Sequence, residues 1–332
     1  MLLFVPGWSG DERLPLLGPD RRIETLPVTL DPADPSVRRT GDLAFLGGLE
    51  LRGRGAAFGG FSSLHIANGR FTLLSDGGNI VSFRIAPRGH IVDVRFAALP
   101  AGPGTGWTKD DRDSESMTTD PVSGRIWVGF ENWNAIWRYT PGFARAEAHA
   151  APRAMADWPR TKGPESLTLV PGGGMVAIAE GKSGPDSRAR AAIRFTRDPV
   201  EHPDEGFRFS YIPPEGYDVS DAATTPDGGL LVLNRRFDPP FRFSTKLTLV
   251  DLRTIRPGAR VSGREIATLA APLIHDNFEG VTVTRERGTT IIWLVSDDNQ
   301  TMLQRSLLLK FRYEPATKRA GSRLRPQRSR AS

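Results

Sequence analysis

The 332-residue sequence contains no cysteine. This absence excludes disulfide bonds, a thiol nucleophile and thiolate metal sites, although it leaves the compartment open because an exported protein can also lack cysteine. Histidine is scarce as well. The five histidines are scattered, with no spacing typical of zinc ligands: His65, His90, His149, His202 and His275. Zinc is therefore a disfavoured metal for this chain.

Long apolar runs are also missing, since nothing approaches the roughly 18 residues of a membrane span. The apolar residues 1–6 are too short for the core of a signal peptide and lack a basic segment before them. We interpret residues 1–41 as an irregular segment that could carry the remnant of an export signal. The sequence has no P-loop, no dinucleotide-binding fingerprint and no complete G-x-S-x-G serine motif.

The formal net charge is +6, and its source is the end of the chain. Residues 315–332 contain six lysines and arginines and no acid, so the positive and negative charges of residues 1–314 are equal in number. We predict a disordered, solvated basic tail over 315–332. Contact with an anionic surface is the minor alternative. No aromatic residue is interleaved, so we expect no nucleic-acid partner. We also expect no stable membrane span and a monomer.

Five similar segments divide most of the chain. Each has a small or acidic residue followed by alternating apolar residues, and the steps between the aligned positions are 53, 50, 55 and 59 residues. The aligned positions are Ser63, Ser116, Ser166, Asp221 and Gly280. A near-constant period of about 50 residues is typical of a repeat architecture.

Each repeat contains up to four short strand-like runs bounded by turn residues. The fifth repeat lacks its fourth run, whereas residues 42–51 resemble a fourth run and precede the first repeat. This predicts an all-β fold, a single β-propeller over 42–314 whose N-terminal strand closes the last blade and removes an exposed sheet edge. Five blades are visible, and a sixth built partly from residues 23–30 is an alternative. A pair of β-sandwiches is the competing fold, but it does not explain the period.

The first strand of a propeller blade lines the central channel, so residues at its start should converge at one mouth. Four carboxylates are predicted there: Glu115, Glu165, Asp221 and Glu279. Further acids follow the second runs, either at this mouth or at the opposite face: Asp76, Glu131, Glu180, Asp297 and Asp298. The alternative is that each polar residue only satisfies strand-end amides. Asp110, Asp111 and Asp113 are interpreted as a solvated loop that could add ligands beside Glu115.

Clustered carboxylates repel one another unless a cation compensates them. Calcium suits such a cluster because it takes six to eight oxygen ligands. We therefore predict a calcium site built from the nine acids above. Basic residues near the same loops are candidates for substrate binding: Lys109, Arg235, Arg236 and Arg305. Arginine matches phosphate oxygens well, but an ion pair with a ring carboxylate is an equal alternative for Arg235. His275 is predicted to form a local hydrogen bond, with catalysis as the alternative.

Several motifs resemble those of the bacterial phytase-like proteins, described as having "esterase-like activity of phytase". The matching pieces are 58–64 (FGGFSSL), 74–78 (LSDGG), 115–116, 165–166, 227–236 (DGGLLVLNRR), 276–280 (DNFEG) and 296–299 (SDDN). The resemblance runs from about residue 42 to residue 313. It implies a calcium-associated β-propeller, usually exported to the periplasm or beyond, that acts on phosphate esters or other esters. The chain departs from the pattern by having serines at positions 63, 116 and 166, where glycine is common.

The leading hypothesis is a calcium-dependent hydrolase of phosphate esters or related esters. The ring carboxylates Glu115, Glu165, Asp221 and Glu279, with His275, would supply the catalytic groups. Two alternatives stay open: a non-catalytic binding propeller with a structural metal, and a calcium-dependent lactonase or carboxylesterase. The partner in the hydrolase reading is a small ester or phosphoester.

Overall fold

The computed structural model describes residues 15–183, 186–240, 242–301 and 303–315. Residues 1–14 of the segment 1–41, which was predicted to be irregular, and all but the first residue of the basic tail lie outside these residues. Three strands precede the first repeat: β1 (Ile23–Val28), β2 (Arg39–Thr40) and β3 (Leu43–Gly53).

The repeats then follow as four-stranded antiparallel sheets. Blade 1 comprises β4 (Phe61–Ala67), β5 (Arg70–Ser75), β6 (Asn79–Ile85) and β7 (Ile91–Ala98). Blade 2 comprises β8 (Ser114–Thr119), β9 (Ile126–Phe130), β10 (Ala135–Tyr139) and β11 (Ala146–Ala150). Blade 3 comprises β12 (Ser166–Leu169), β13 (Met175–Ser183), β14 (Asp186–Phe195) and β15 (Gly206–Tyr211). Blade 4 comprises β16 (Asp218–Thr224), β17 (Gly229–Asp238), β18 (Arg242–Asp251) and β20 (Arg264–Leu269).

Blade 5 is built from both parts of the chain. Its C-terminal strands are β21 (Phe278–Glu286), β22 (Thr289–Ser296) and β23 (Leu307–Tyr313). The early strand β3 pairs antiparallel with β23, with Leu308 opposite Leu49, and so supplies the fourth strand. The predicted closure of the ring by an N-terminal strand is confirmed.

The protein is a five-bladed β-propeller, as the repeat period predicts, and not a pair of sandwiches. The described residues form no sixth blade, which the sequence allowed as an alternative. Strand β1 instead adds to the outer edge of blade 5 by pairing with β3, with Ile23 opposite Gly53. Strand β2 pairs with the start of β3. A short strand, β19 (Arg260–Val261), adds parallel to β15 at the edge of blade 3.

Helical structure is minimal in the described residues. One four-residue α-helix, α1 (Lys109–Arg112), precedes blade 2. The 3-10 turns are Pro87–Gly89, Pro141–Phe143, Arg153–Met155 and Leu252–Thr254. None of the helices described is long and apolar enough to cross a membrane.

The buried apolar side chains form five clusters in the described part of the chain, and each cluster lies between two neighbouring blades. Between blades 5 and 1, for example, Phe71 packs edge-on against Trp293 at a ring-centroid distance of 4.9 Å. The first strands β4, β8, β12, β16 and β21 contact one another around the axis. Burial between blades therefore fixes the first strands as the wall of a central channel.

Candidate active site at the channel mouth

The two sets of predicted acids meet at one end of the channel. In an antiparallel hairpin the start of one strand lies beside the end of the next. In blade 2, for example, Ser114 at the start of β8 pairs with Phe130 at the end of β9. In blade 5, Phe278 pairs with Ser296 in the same way. The acids after the second strands therefore share a mouth with those of the first strands, which decides between the two placements that the sequence left open.

β-Bulges place the glutamates at this mouth. The register shifts between Ser114 and Ser116 in β8, and between Phe278 and Gly280 in β21. Glu115 and Glu279 are the extra residues of these bulges. A bulge leaves one residue outside the ladder and redirects its side chain. Glu165 directly precedes β12 and takes the equivalent place in blade 3.

The same alignment separates Asp221 from the glutamates, although we grouped the four together from the sequence. The bulged residue of blade 4 is Ser220, and Asp221 comes one position later, where successive side chains point to opposite faces. Its carboxylate accepts hydrogen bonds from the backbone N–H groups of Ala222 and Val281, each at 2.7 Å. Asp221 is 4% exposed and fastens blade 4 to blade 5. This geometry assigns it a structural role in place of the predicted catalytic and metal-binding ones.

Two triads of carboxylates form the centre of the mouth. Asp113, Glu115 and Glu131 have ligand oxygens within 4.8 Å of one another, and so do Glu131, Glu165 and Glu180. Glu131 belongs to both triads. We call these five residues the acidic cluster. The structure thus brings together four predicted metal ligands, and it adds Asp113.

Three basic side chains compensate part of this charge. Lys109 Nζ lies 2.7 Å from Asp76 and 3.7 Å from Asp113. Lys162 pairs with Glu180. Arg235 pairs with Glu279, donates a hydrogen bond to Asn277 at 2.8 Å, and lies 3.4 Å from Glu180. The ion pair weighed as an alternative for Arg235 is the arrangement that the structure shows.

The carboxylates of Glu115 and Glu165 differ from the acids that form ion pairs with these basic side chains. Among the residues that the structure describes, neither accepts a hydrogen bond or forms an ion pair, yet Glu165 is only 8% exposed. Loss of solvent, together with repulsion from Glu165 and other acids, raises the pKa of Glu115 well above its usual range. The pKa of Glu165 is raised in the same way by burial and by Glu180 and Glu131. Burial and Asp113 raise the pKa of Glu131 to about 8.

A family model described as "Phytase-like: Esterase-like activity of phytase" matches residues 56–300 of the chain. The chain belongs to the phytase-like family. The matched residues run from the loop after β3 to the loop after β22, so they include the whole acidic cluster. No curated protein sequence gives a significant match.

Solved structures resemble the phytase-like propeller in fold only. Myxococcus xanthus glutaminyl cyclase has 10% identity and a TM-score of 0.47, over 82% of this chain and 96% of that one. The Malassezia sympodialis allergen Mala s 1 has 14% identity and a TM-score of 0.43, over 83% and 91%. Hydrazine synthase of Kuenenia stuttgartiensis has 13% identity and a TM-score of 0.36, over 73% of this chain but only 57% of its own.

The acidic cluster of this phytase-like protein suits a hard divalent cation. Its donors are all carboxylate oxygens, the atoms that calcium prefers. Two of its members, Glu115 and Glu165, form no ion pair within the described residues, and burial together with repulsion from neighbouring acids raises the pKa of both carboxylates well above the usual range. A bound cation would remove that repulsion. Glu115, Glu131 and Glu165, with Asp113 and Glu180, are the residues that would hold it.

Asp76, Glu279, Asp297 and Asp298 flank the acidic cluster. Asn277 bridges Glu279 at 2.9 Å and Asp297 at 3.5 Å. Burial and repulsion from Glu279 and Asp76 raise the pKa of Asp297 well above normal, so this acid of blade 5 lies close enough to Asp76 of blade 1 for the two carboxylates to repel each other. Asp298 accepts hydrogen bonds from the Gly60 backbone at 3.0 Å and the Ser306 hydroxyl at 2.8 Å, which ties two loops together.

The remaining candidates lie outside the acidic cluster. Arg236 follows Arg235 on β17 and therefore points to the other face, where it pairs with Asp238 at 2.6 Å. Arg305 reaches Asp276 at 3.3 Å. His275 Nδ1 lies 2.7 Å from the carbonyl oxygen of Leu273, which is the local hydrogen bond expected from the sequence. These contacts do not join the three residues to the acidic cluster.

Sequence reasoning undervalued one residue and overlooked two. Asp113 was interpreted as part of a solvated loop, but it is 7% exposed and its carboxylate accepts a hydrogen bond from Asn132 at 2.6 Å. Its position two residues before Glu115 was the available signal. Lys162 and Asn277 are absent from the candidates that the sequence offers, Asn277 because an amide carries no charge pattern.

Proposed function

We propose that the protein is a calcium-dependent hydrolase of phosphate esters or related esters, acting at the channel mouth. The observation that carries the proposal is the pair of carboxylate triads joined by Glu131, with the carboxylates of Glu115 and Glu165 forming no ion pair within the described residues. Membership of a family with esterase-like activity supports hydrolysis as the reaction class. Calcium, when bound, would neutralise an anionic ester and acidify water.

The residues of the chain take separate roles in this proposal. The acidic cluster holds the cation. Lys109, whose side chain is 55% exposed, is the most accessible of the three basic groups and would receive the anionic part of a substrate. Glu279 lies outside both triads and is fixed by Arg235 and Asn277, so we assign its carboxylate as the proton acceptor for the attacking water. Arg235 would position Glu279 rather than contact phosphate.

The test is ester hydrolysis by metal-stripped protein with and without added calcium. Phytate, an aryl phosphate, an aryl acetate and a simple lactone are compared side by side. We expect calcium-dependent release from a phosphate ester and inhibition by free phosphate. Equal rates of ester hydrolysis with and without calcium would refute the proposal. Calcium binding measured by titration calorimetry supplies a readout that does not depend on turnover.

Matched variants connect the activity to the acidic cluster. Glu165→Gln removes one ligand charge without changing shape, and it should weaken calcium binding and activity together. Glu286→Gln is the control. Glu286 is exposed, forms an ion pair with Lys310 at 2.8 Å, and does not belong to the acidic cluster. If both variants bind calcium as the parent does, the cation site lies elsewhere.

The alternatives make different predictions in the same assay. A lactonase or carboxylesterase would release product only from the lactone or the acetate. A binding propeller would gain thermal stability from calcium and hydrolyse nothing. Export to the periplasm or beyond and a monomeric state also remain proposals, and the first rests on the family resemblance alone.

A further inference from the structure

A cavity lies between blades 1 and 2, away from the mouth that holds the acidic cluster. Its volume is about 350 Å³, within the range of small-molecule sites. One row of paired residues crosses all four strands of blade 1 and faces it: His65 beside Thr72, Thr72 beside Ser82, and Ser82 beside Arg95. Blade 2 closes the other side with Thr119 and other residues.

Small side chains create this space. Nearer the acidic mouth, the same interface is filled by large residues such as Leu74, Val128 and Phe130, which pack as one cluster. In the cavity, blade 1 presents Thr72 and Ser82 instead. The interface between blades 1 and 2 is therefore closely packed near the acidic cluster and open at the cavity.

Two polar atoms at the inner strands have no partner. His65 Nε2 and Thr119 Oγ1 are both buried, and neither makes a hydrogen bond within the described residues. Leaving a buried polar group unpaired is costly, so such atoms call for an explanation. Burial lowers the pKa of His65 to about 4, so at neutral pH the ring is uncharged, with one nitrogen able to donate and the other to accept.

The outer end of the cavity carries surplus positive charge. Arg70, Arg84 and Arg95 all approach one acid, Asp93, with separations of 3.7 Å for Arg84 and 3.6 Å for Arg95. Burial lowers the pKa of Arg70, and repulsion from Arg95 and Arg84 lowers it further. Arg70 and Arg95 line the cavity. Three cations facing one anion favour a negatively charged ligand group.

We infer that this cavity is a second ligand site, and that it takes a hydroxylated aryl carboxylate. The hydroxyl would pair with His65 Nε2 and Thr119 Oγ1, and the carboxylate would face Arg70 and Arg95. The ring would pack on the apolar lining residues Ile80, Met117 and Ile126. The inner and outer strands of a blade are three strand spacings apart, or roughly 14 Å. That length matches a single ring with a short acid side chain and a hydrogen bond at each end.

The test is titration calorimetry of the full chain with 3-(4-hydroxyphenyl)propanoate. Two analogues probe the two ends: 3-phenylpropanoate lacks the hydroxyl, and the methyl ester lacks the charge. We expect each analogue to bind about tenfold more weakly, because a hydrogen bond or a charge contact is lost. Absence of measurable binding by the first compound at millimolar concentration would overturn the inference, and so would equal binding by all three.

Variants locate the binding. Thr119→Val keeps the side-chain shape and should remove the preference for the hydroxyl. Arg95→Gln alters a side chain that is 67% exposed and should weaken binding of the acid but not of its ester. Thr284→Val is the matched control, since Thr284 Oγ1 is another buried unpaired hydroxyl, in blade 5. Unchanged binding in both Thr119→Val and Arg95→Gln would place the ligand elsewhere and refute the site.

Discussion

Metal-stripped protein should lose stability as the pH rises from 5 to 8. Burial and neighbouring acids raise the pKa of Glu131 from 4.5 to about 8 in the folded chain. Between these two values the folded chain holds a proton that the unfolded chain has released, so the free energy of unfolding falls with rising pH. For Glu131 alone the loss over this range is about 3 kcal/mol. Glu115 and Glu165 shift in the same direction and add to it.

For a chain of this size, such a loss corresponds to a fall in Tm of roughly 5 °C. The assay is thermal unfolding in chelator at pH 5, 6, 7 and 8. Saturating calcium should remove most of the fall, because the cation binds the deprotonated carboxylates and stabilises the folded state more at high pH.

Glu131→Gln provides the control, since the amide cannot titrate. This variant should be more stable than the parent at pH 8 without metal, and its Tm should depend less on pH. A parent Tm that stays constant or rises between pH 5 and 8 in chelator would refute the reasoning, because the carboxylates would then be ionised and compensated within the chain.

Three further predictions concern single side chains. Asp221→Ala should lower the free energy of unfolding by about 3 kcal/mol in urea titrations, because two buried N–H groups lose their acceptor, while calcium affinity stays unchanged. Gly280→Ala should cost about 2 kcal/mol, since a Cβ there would lie 2.6 Å from Val295 Cγ1 and 3.0 Å from a backbone nitrogen; unchanged stability would mean that blade 5 can move away from blade 1. Arg235→Gln should tighten calcium binding about tenfold in calorimetry because a cation leaves the mouth, whereas Arg236→Ala should have no effect. Weaker binding by Arg235→Gln would contradict this electrostatic account.

The fold could be predicted because a propeller repeats its signal. A single strand such as Arg70–Ser75 is ambiguous, but five aligned runs at a common period are not. The closing strand could also be placed, since the fifth repeat lacked a strand and residues 42–51 supplied one. Residues 23–30 gave no such constraint. Their strand could start a sixth blade or extend the fifth, and only pairing with β3 decides the matter.

The sequence predicts that acidic residues form the site, but it does not predict which way each side chain points from its strand. Glu115, Glu165 and Glu279 share one repeat position, and Asp221 is one residue out of step with them. In a strand with a bulge, that single step changes the direction of a side chain. Bulges leave no clear mark in one sequence, so the acid at position 221 could not be distinguished from the glutamates. The burial of Asp113 depends on the fold of the loop before blade 2 and was equally hidden.

The pairing of β3 with β23 has a consequence for synthesis of the protein. β3 ends at Gly53, but its partner is complete only at Tyr313. At about 5–20 residues per second, a ribosome needs roughly 15–50 s to bridge that gap. Throughout this time the strand that closes the ring has been made, but its edge toward β23 has no partner. Translation speed, and any chaperone that covers an unpaired strand, should therefore influence the yield of this propeller more than that of a protein whose neighbouring strands are neighbours in sequence.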